Sequence, residues 1–509
     1  MASPQEKLAK SLEALKQLQD EGRAAVRAKD LSRPHREILL KNGFLQMVMK
    51  GWYIPSRPDD RPGDTTPWYS SFWDFCANYA NERFGDEWCL SAEQSLLLHV
   101  GNRTVPQQLT IRTPKGGNKP TNLLHRTSIF DFRGKLPDQS EIERMDDLNL
   151  YDLPTALIES VATFYRRNAT DARAALAAIP NASILLAKLL DGGRSTIAGR
   201  LCGAFRNIGR IEIADEIKKT MKAAGYEVVE NDPFEEKIAW ELEDRVVSPH
   251  AARLKLMWQT MREVVVDTFP PPPEEIAEPD AYLKHVEDAY VEDAYHSLSI
   301  EGYQVSPELI EKVRSGVWNP EQSDQDREQR DALAARGYYQ AFRLVKKSVG
   351  KVLKSRNAGT IAKKDHGDWY RELFVPLVSA GLLNAGCLAG YRTSGVFIKG
   401  SRHVPASGSA VGDLMPVFFE LLENEPDAAV RAVLGHFCFV FIHPYSDGNG
   451  RTARFLMNLM LASGGYPWTV IPVDHRKPYM ESLEFASVEQ NIEPFATFLG
   501  RLVDEAMKD

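Results

Sequence analysis

At 509 residues, 43% hydrophobic and 26% charged, the chain has the composition of a soluble globular protein with room for several domains. A formal net charge of −8 argues against whole-chain binding to nucleic acid while leaving a local basic module open. The cysteines (Cys76, Cys89, Cys202, Cys387, Cys438) form no Cys-x-x-Cys pair, the longest apolar run (Val430–Ile442) is broken by Arg431 and His436, and the N-terminus lacks a signal-peptide core. A disulfide framework, a cysteine zinc site and a membrane span are therefore not expected, and a reducing cytoplasm is.

In chain order, residues 5–19 place Leu8, Leu12, Leu15 and Leu18 at helical spacing. A short second helix is expected over Arg23–Lys29. Ser32 suits the N-cap of a third over Arg33–Asn42, ended by Gly43. Phe44–Ile54 reads as a small hairpin turning at Lys50-Gly51. Three short helices followed by a hairpin is the order of a winged helix. Residues 1–57 hold 11 Lys/Arg against 6 Asp/Glu, a net of +5, so the remainder carries −13. A basic island on an acidic chain suits DNA backbone contact; protein contact or a solvated face is the alternative. On Ser32-Arg33 and the Lys50-Gly51-Trp52-Tyr53 wing, this stretch resembles the N-terminal region of AbiEi-type antitoxins and related regulators.

Residues 55–68, rich in Pro and Asp, read as a linker. Residues 69–150 mix an aromatic helix (Tyr69, Phe72, Trp73, Phe75, Tyr79) with alternating strand-like text at Leu109–Arg112 and Thr127–Phe132, a small α/β module over 58–150 that resembles the one following the winged helix in those regulators. The region 151–265 is helical, with three or four helices expected in 154–226. Residues 1–250 hold no catalytic constellation; His35, His99, His125 and His250 read as structural or surface residues. Composition breaks again at Pro270–Pro273, within an extended linker over 266–280, and the last domain is expected at 281–509.

That domain opens with helices over Tyr282–Ile300 and Ser306–Gly316, with Ser297-Leu298-Ser299-Ile300-Glu301-Gly302 between them. Helices follow at 331–354 and 367–383, and alternation over Gly390–Gly400 predicts a β-hairpin. Ala428–Ile442 and Arg451–Ala462 read as buried helices. Between them lies His443-Pro-Tyr-Ser-Asp-Gly-Asn-Gly-Arg-Thr-Ala-Arg454. A helix opening at Gly448-Asn449-Gly450 presents partnerless backbone N–H groups and the positive end of its dipole to an anion. Arg451 and Arg454 share one face, Asp447 is a hard oxygen ligand suited to Mg²⁺, and His443 titrates near neutrality. A plain helix–helix turn is the bland alternative.

The segment resembles the Fic-family signature, His-x-Phe-x-Asp/Glu-Gly-Asn-Gly-Arg-x-x-Arg, departing only at Tyr445. The resemblance implies transfer of AMP from ATP, with Mg²⁺, to a Ser, Thr or Tyr hydroxyl of a target protein or of the chain itself. It makes His443 the general base, Asp447 the metal ligand, Gly448, Asn449 and Gly450 the phosphate nest, and Arg451 and Arg454 phosphate clamps. Asn449 counts with the catalytic set, and Tyr479 resembles the family's aromatic near the nucleoside, with a packing role as the alternative. Ser297, Glu301 and Gly302 match the family's inhibitory pattern, on a helix (about 282–302) preceding the core. A bidentate Glu301–Arg454 pair would exclude the γ-phosphate, and the same Glu301 is implied in removing AMP. The hairpin resembles the family's flap, whose Thr393, Ser394, Gly395, Val396, Phe397 and Ile398 would pair with a target's extended segment. The fold expected is multidomain and mainly α: winged-helix-like and small α/β modules, then an all-α Fic domain with a β-hairpin flap. The alternative function is a DNA-binding regulator, contacting DNA through 1–57, whose Fic domain senses nucleotide; a donor other than ATP is a further alternative. The target is not legible, and a homodimer is the oligomer considered.

Overall fold

The expected first helix forms as Pro4–Asp20, started by a capping box in which the Ser3 hydroxyl and Glu6 carboxylate exchange bonds with each other's backbone N–H. The computed structural model describes residues 3–21, 23–58, 64–235, 248–273, 278–316, 318 and 330–508. The middle of the 55–68 loop, Glu274-Glu275 of the Pro-rich linker and residues 236–247 of the helical region lie outside the described residues. The chain divides into two compact units. The first is Met1–Arg253 with Phe397–Val404; the second is Leu254–Val396 with Pro405–Asp509.

In the first unit, the helix expected over Arg23–Lys29 is instead a short strand, Val26–Arg27. Val26 pairs with Tyr53, and the Asp30 carboxylate takes the Arg27 N–H in a turn that ends the strand. Ser32 does cap the next helix, Arg33–Lys41, and Gly51 (φ +85°) makes the turn between strands Leu45–Met49 and Trp52–Pro55. The small sheet runs Val26–Arg27, Trp52–Pro55, Leu45–Met49, so the element order is helix, strand, helix, hairpin. After it, the aromatic helix Thr66–Phe84 packs on a four-stranded sheet, in which Gln108–Thr113 and Ser128–Arg133 run parallel. The Ala/Leu-rich stretch folds into six helices between Leu153 and Ala223 rather than three or four, because Asn168, Gly193 and Gly209 break the periodicity into short pieces.

The units part at Arg253/Leu254, upstream of the 266–280 linker where composition puts the boundary. The helix Pro249–Thr268 supplies the reason. Leu254, Met257, Trp258, Met261 and Val265 are buried in the core of the second unit, with Tyr282, Val286 and Tyr466. The second unit is otherwise the expected helical array. Tyr282–Ile300 is broken at Ala289 into Pro279–Asp288 and Tyr290–Ile300. Arg330–Val352 lies against Ala358–Ser379, and Ala428–Ile442 against Asn449–Ser463.

The hairpin expected over Gly390–Gly400 is not formed: the stretch holds no strand. Its polar backbone is satisfied elsewhere. Arg392 N–H donates to the Pro444 carbonyl, Gly400 N–H to the Thr66 hydroxyl, and the Arg402 carbonyl accepts from Val105 N–H. Gly390 and Gly400 take left-handed φ of +120° and +77°, which interrupt an extended strand. Thr393, Ser394, Gly395 and Phe397 are exposed, and Val396 and Ile398 half-buried. No helix among the described residues is long and apolar enough to cross a membrane.

The contact between Arg330–Val352 and Ala358–Ser379 depends on Gly337, where a Cβ would collide with the Leu373 carbonyl. Gly337→Val is expected to destabilise the second unit by about 1–3 kcal/mol or more, read as a lower urea midpoint at unchanged slope.

Candidate functional site

Residues 443–454 sit on a turn locked from both sides. The Asp427 carboxylate caps the helix Ala428–Ile442 by accepting from Ala429 and Val430 N–H at 2.8 and 3.1 Å. That helix ends at His443, whose φ of +53° is a left-handed conformation that costs a non-glycine residue about 1–2 kcal/mol. Tyr445 is buried and stacks on Tyr370 at 3.6 Å and 3°. Its backbone is clasped by Asn449: Tyr445 N–H donates to Oδ1 at 2.9 Å, and Nδ2 donates to the Tyr445 carbonyl at 2.8 Å. The Asn449 side chain thus closes the loop. Gly448 follows at φ +77°, and a Cβ there would lie 2.7 Å from the Phe374 ring, so both backbone and space require glycine.

The helix Asn449–Ser463 then points its N-terminus at a charged cluster. Arg451 is fully buried between the rings of Tyr303 and Phe374, with centroids 5.3 and 4.9 Å away. Its Nε, Nη1 and Nη2 have no hydrogen-bond partner among the described residues. The nearest acid is Asp447, 3.7 Å away, whose side chain is 64% exposed and whose Oδ1 accepts the Gly448 N–H at 2.6 Å. A buried guanidinium with no hydrogen-bond partner among the described residues, at a helix N-terminus, presents donors that suit an anion.

Arg454 is engaged. Its Nε donates to the Ser297 hydroxyl at 2.9 Å, and Nη2 donates to the Ser297 carbonyl at 3.0 Å and to Glu301 Oε1 at 2.8 Å. Glu301 therefore holds Arg454 through one oxygen; the bidentate pair expected from sequence is not present, because Ser297 takes the rest of the fork. A Cβ at position 450 would collide with that Glu301 oxygen, so the carboxylate lies over the first turn of the helix. Glu301 owes its place to a Schellman motif: Tyr303 N–H bonds to the Leu298 carbonyl and Gly302 N–H to Ser299, with Gly302 at φ +91°. Burial opposes the charge of Glu301, but Arg454, Arg451 and Arg476 outweigh it and hold its carboxyl below the usual range.

His443 lies beside this cluster. Burial pushes its imidazole down to about 4, against a 3.2 Å bond between Nδ1 and the Val440 carbonyl and with Arg392 adding to the depression. With Nδ1–H donating to that carbonyl, Nε2 carries the lone pair, and the ring is neutral at pH 7. Tyr479 is placed away from any open surface. Its ring is 1% exposed among His436, Phe495 and Phe498, and its hydroxyl shares a 2.9 Å bond with His436 Nε2. It backs Arg454 from the core.

Sequence reasoning missed three supports. Arg476 Nε donates to the Ile300 carbonyl at 2.8 Å, tying down the end of the helix that carries Glu301. Asp293, one turn before Ser297, is buried, accepts from Tyr338 at 2.7 Å, and is pushed up to about 6 by burial. Arg392 binds the backbone around His443. Only the (i, i+4) spacing of Asp293, Ser297 and Glu301 on one helix face was available as a signal.

Arg451→Met would remove a buried charge that lacks hydrogen bonds. Its urea midpoint is expected to equal or exceed that of the parent, while stabilisation by added tripolyphosphate, read as a thermal shift, falls by most of its parent value.

Residues 366–461 match the model of the Fic/DOC family. A Culex quinquefasciatus protein named Protein adenylyltransferase Fic is 31% identical over 233 residues, 45% of this chain and 43% of the relative. Its namesake in Aedes aegypti is 30% identical over 237 residues, covering 46% and 44%, and that of Drosophila willistoni is 36% identical over 121 residues, covering 23% and 24%. The chain thus spans less than half the length of these curated relatives. Among solved structures, Fic-1 (residues 134–508) from C. elegans aligns at a TM-score of 0.36 and 21% identity, over 64% of this chain and 89% of that one. A Fic family protein from Desulfovibrio desulfuricans G20 also aligns at 0.36 and 21%, over 53% and 77%. Residues 366–461 are thus similar to the Fic/DOC family, and the similarity to its curated relatives is confined to less than half of the chain.

Proposed function

We propose that the chain is a protein adenylyltransferase held in check by its own Glu301. One observation carries the reading: of the two arginines in the first turns of this helix, Arg451 has no hydrogen-bond partner among the described residues, and Arg454 is already held by a carboxylate. The relatives named as adenylyltransferases support the reaction class. In the active state, ATP phosphates lie on the Gly448–Gly450 turn, with Arg451 and Arg454 sharing their charge. His443 Nε2 accepts the proton of a Ser, Thr or Tyr hydroxyl. The freed oxygen bonds to the α-phosphorus, the bond from that phosphorus to the β-phosphate oxygen breaks, and pyrophosphate leaves. Asp447 presents one exposed carboxylate beside Arg451, and one carboxylate plus substrate phosphate oxygens is a donor set that suits Mg²⁺. Mg²⁺ there would neutralise charge on the phosphates.

Glu301 opposes this arrangement electrostatically. A carboxylate at a helix C-terminus sits where the dipole disfavours it, and Arg454, Arg451 and Arg476 offset that cost. While it holds Arg454, a γ-phosphate meets a negative charge instead of a guanidinium and loses in-line placement. Once AMP is attached to a target, the same carboxylate would orient a water for its removal.

The alternative, DNA binding through a winged-helix-like 1–57, has less support. Arg23, Arg27, Lys29 and Arg33 are taken up in ion pairs with Glu21, Asp30, Glu82 and Glu37. Steeply salt-dependent DNA retention by the full chain would restore it.

Incorporation of α-labelled ATP tests the proposal. Glu301→Gly is expected to label at least about tenfold faster than the parent, and adding His443→Ala to abolish the label; transfer from γ-labelled ATP would make the enzyme a kinase. The pH dependence has a definite sign. Glu301, with its lowered pKa, stays charged above the ordinary carboxylate range, and His443, at about 4, stays neutral, so neither titrates near neutrality. Both the inhibition and the Glu301→Gly rate should be flat across about pH 6–8, with loss of rate only as pH falls toward the His443 value.

A further inference from the structure

Arg392 is 4% exposed, and among the described residues every hydrogen bond of its guanidinium goes to a carbonyl. Nε donates to His443 at 2.6 Å, and Nη2 donates to Ile442 at 3.2 Å. These are carbonyls that the helix Ala428–Ile442 leaves without intrahelical partners as the chain turns left-handed. The Arg392 backbone N–H adds a third tie, to the Pro444 carbonyl at 2.9 Å. The rest of the fork reaches the two ends of the following loop, with Nη1 on the Ser394 carbonyl at 2.9 Å and Nη2 on Ala406 at 2.6 Å. That loop carries Phe397–Val404, the residues that fold with the first unit.

Among the described residues no acid lies against this buried guanidinium, a costly arrangement, and burial accordingly pulls its pKa down. Packing alone would be served by an apolar side chain of similar length. Four N–H bonds from one planar group to four carbonyls serve a different end: they fix where the His443 backbone sits and therefore where its ring points. We propose that Arg392 is a positioning residue for His443, holding the left-handed turn that aims the imidazole and joining that turn to both ends of the 394–406 loop.

The kinetic part of the test rests on the adenylyl-transfer reading; the spectroscopic part does not. In full-length chain labelled at histidine ring carbons, the His443 signal is assigned by its loss in His443→Ala. Arg392→Lys, which keeps the charge but cannot span four carbonyls, is expected to move that signal. It should leave the signal of His436, fully buried on the same helix, in place as a control on folding. In a Glu301→Gly background, Arg392→Lys is expected to lower kcat about 10- to 100-fold with KM for ATP within about twofold. An unmoved His443 signal, or a loss residing in KM, would overturn the assignment. If the Glu301→Gly parent transfers no AMP, the transfer reading fails, and the His443 signal decides the role of Arg392 alone.

Discussion

The second unit is organised around one guanidinium. Arg454 is 4% exposed, and its charge is met by Ser297 through two bonds and by Glu301 through one. Removing either partner leaves a buried cation short of acceptors, so this group ties the helix Tyr290–Ile300 to the helix Asn449–Ser463 in addition to the apolar burial of Leu298 and Ile300. The supports lie around it in layers. Tyr338 and Asp293 back Ser297, Tyr479 and His436 back Arg454, and Arg476 ties the Ile300 carbonyl. An anion competing for Arg454 has to displace a carboxylate that is preorganised, without breaking the Ser297 bonds.

Arg451 shows the complementary condition. Its ring contacts with Tyr303 and Phe374 supply cation–π attraction but leave its donors unused. Tyr303 comes directly after Gly302, so the turn that places Glu301 also places a wall of the Arg451 site. The two arginines, one satisfied and one not, are coupled through a single Schellman turn.

Much of this site was legible in the sequence because its residue types are constrained by local rules. Gly448 has to be glycine for its φ and for the Phe374 ring above it; Gly302 is a helix-ending glycine; Ser297 and Glu301 share a face by spacing alone. Whatever depended on distant pairing was not legible. The strand at Val26–Arg27 exists because Tyr53 lies opposite, which no local pattern in 23–29 records. The missing hairpin at 390–400 failed for the same reason: alternation is needed for a strand, but its backbone found Pro444 and Thr66 as partners instead. Helix 249–268 lies before a Pro-rich break yet packs with Tyr282, Val286 and Tyr466 beyond it, because core membership is set by which faces meet and not by composition. Arg392 read as one charge in an alternating stretch; the carbonyl partners of its guanidinium lie up to 51 positions away.

On the proposed reading, the Glu301 carboxylate and a terminal phosphate compete for Arg454. Calorimetric titration of ATP and of ADP into His443→Ala protein, with and without Glu301→Gln, tests it most directly, since no turnover intervenes. Competition predicts that Glu301→Gln tightens ATP by about tenfold or more while changing ADP much less, because only the triphosphate reaches the contested guanidinium. Equal tightening of both nucleotides, or no change in either, would contradict it.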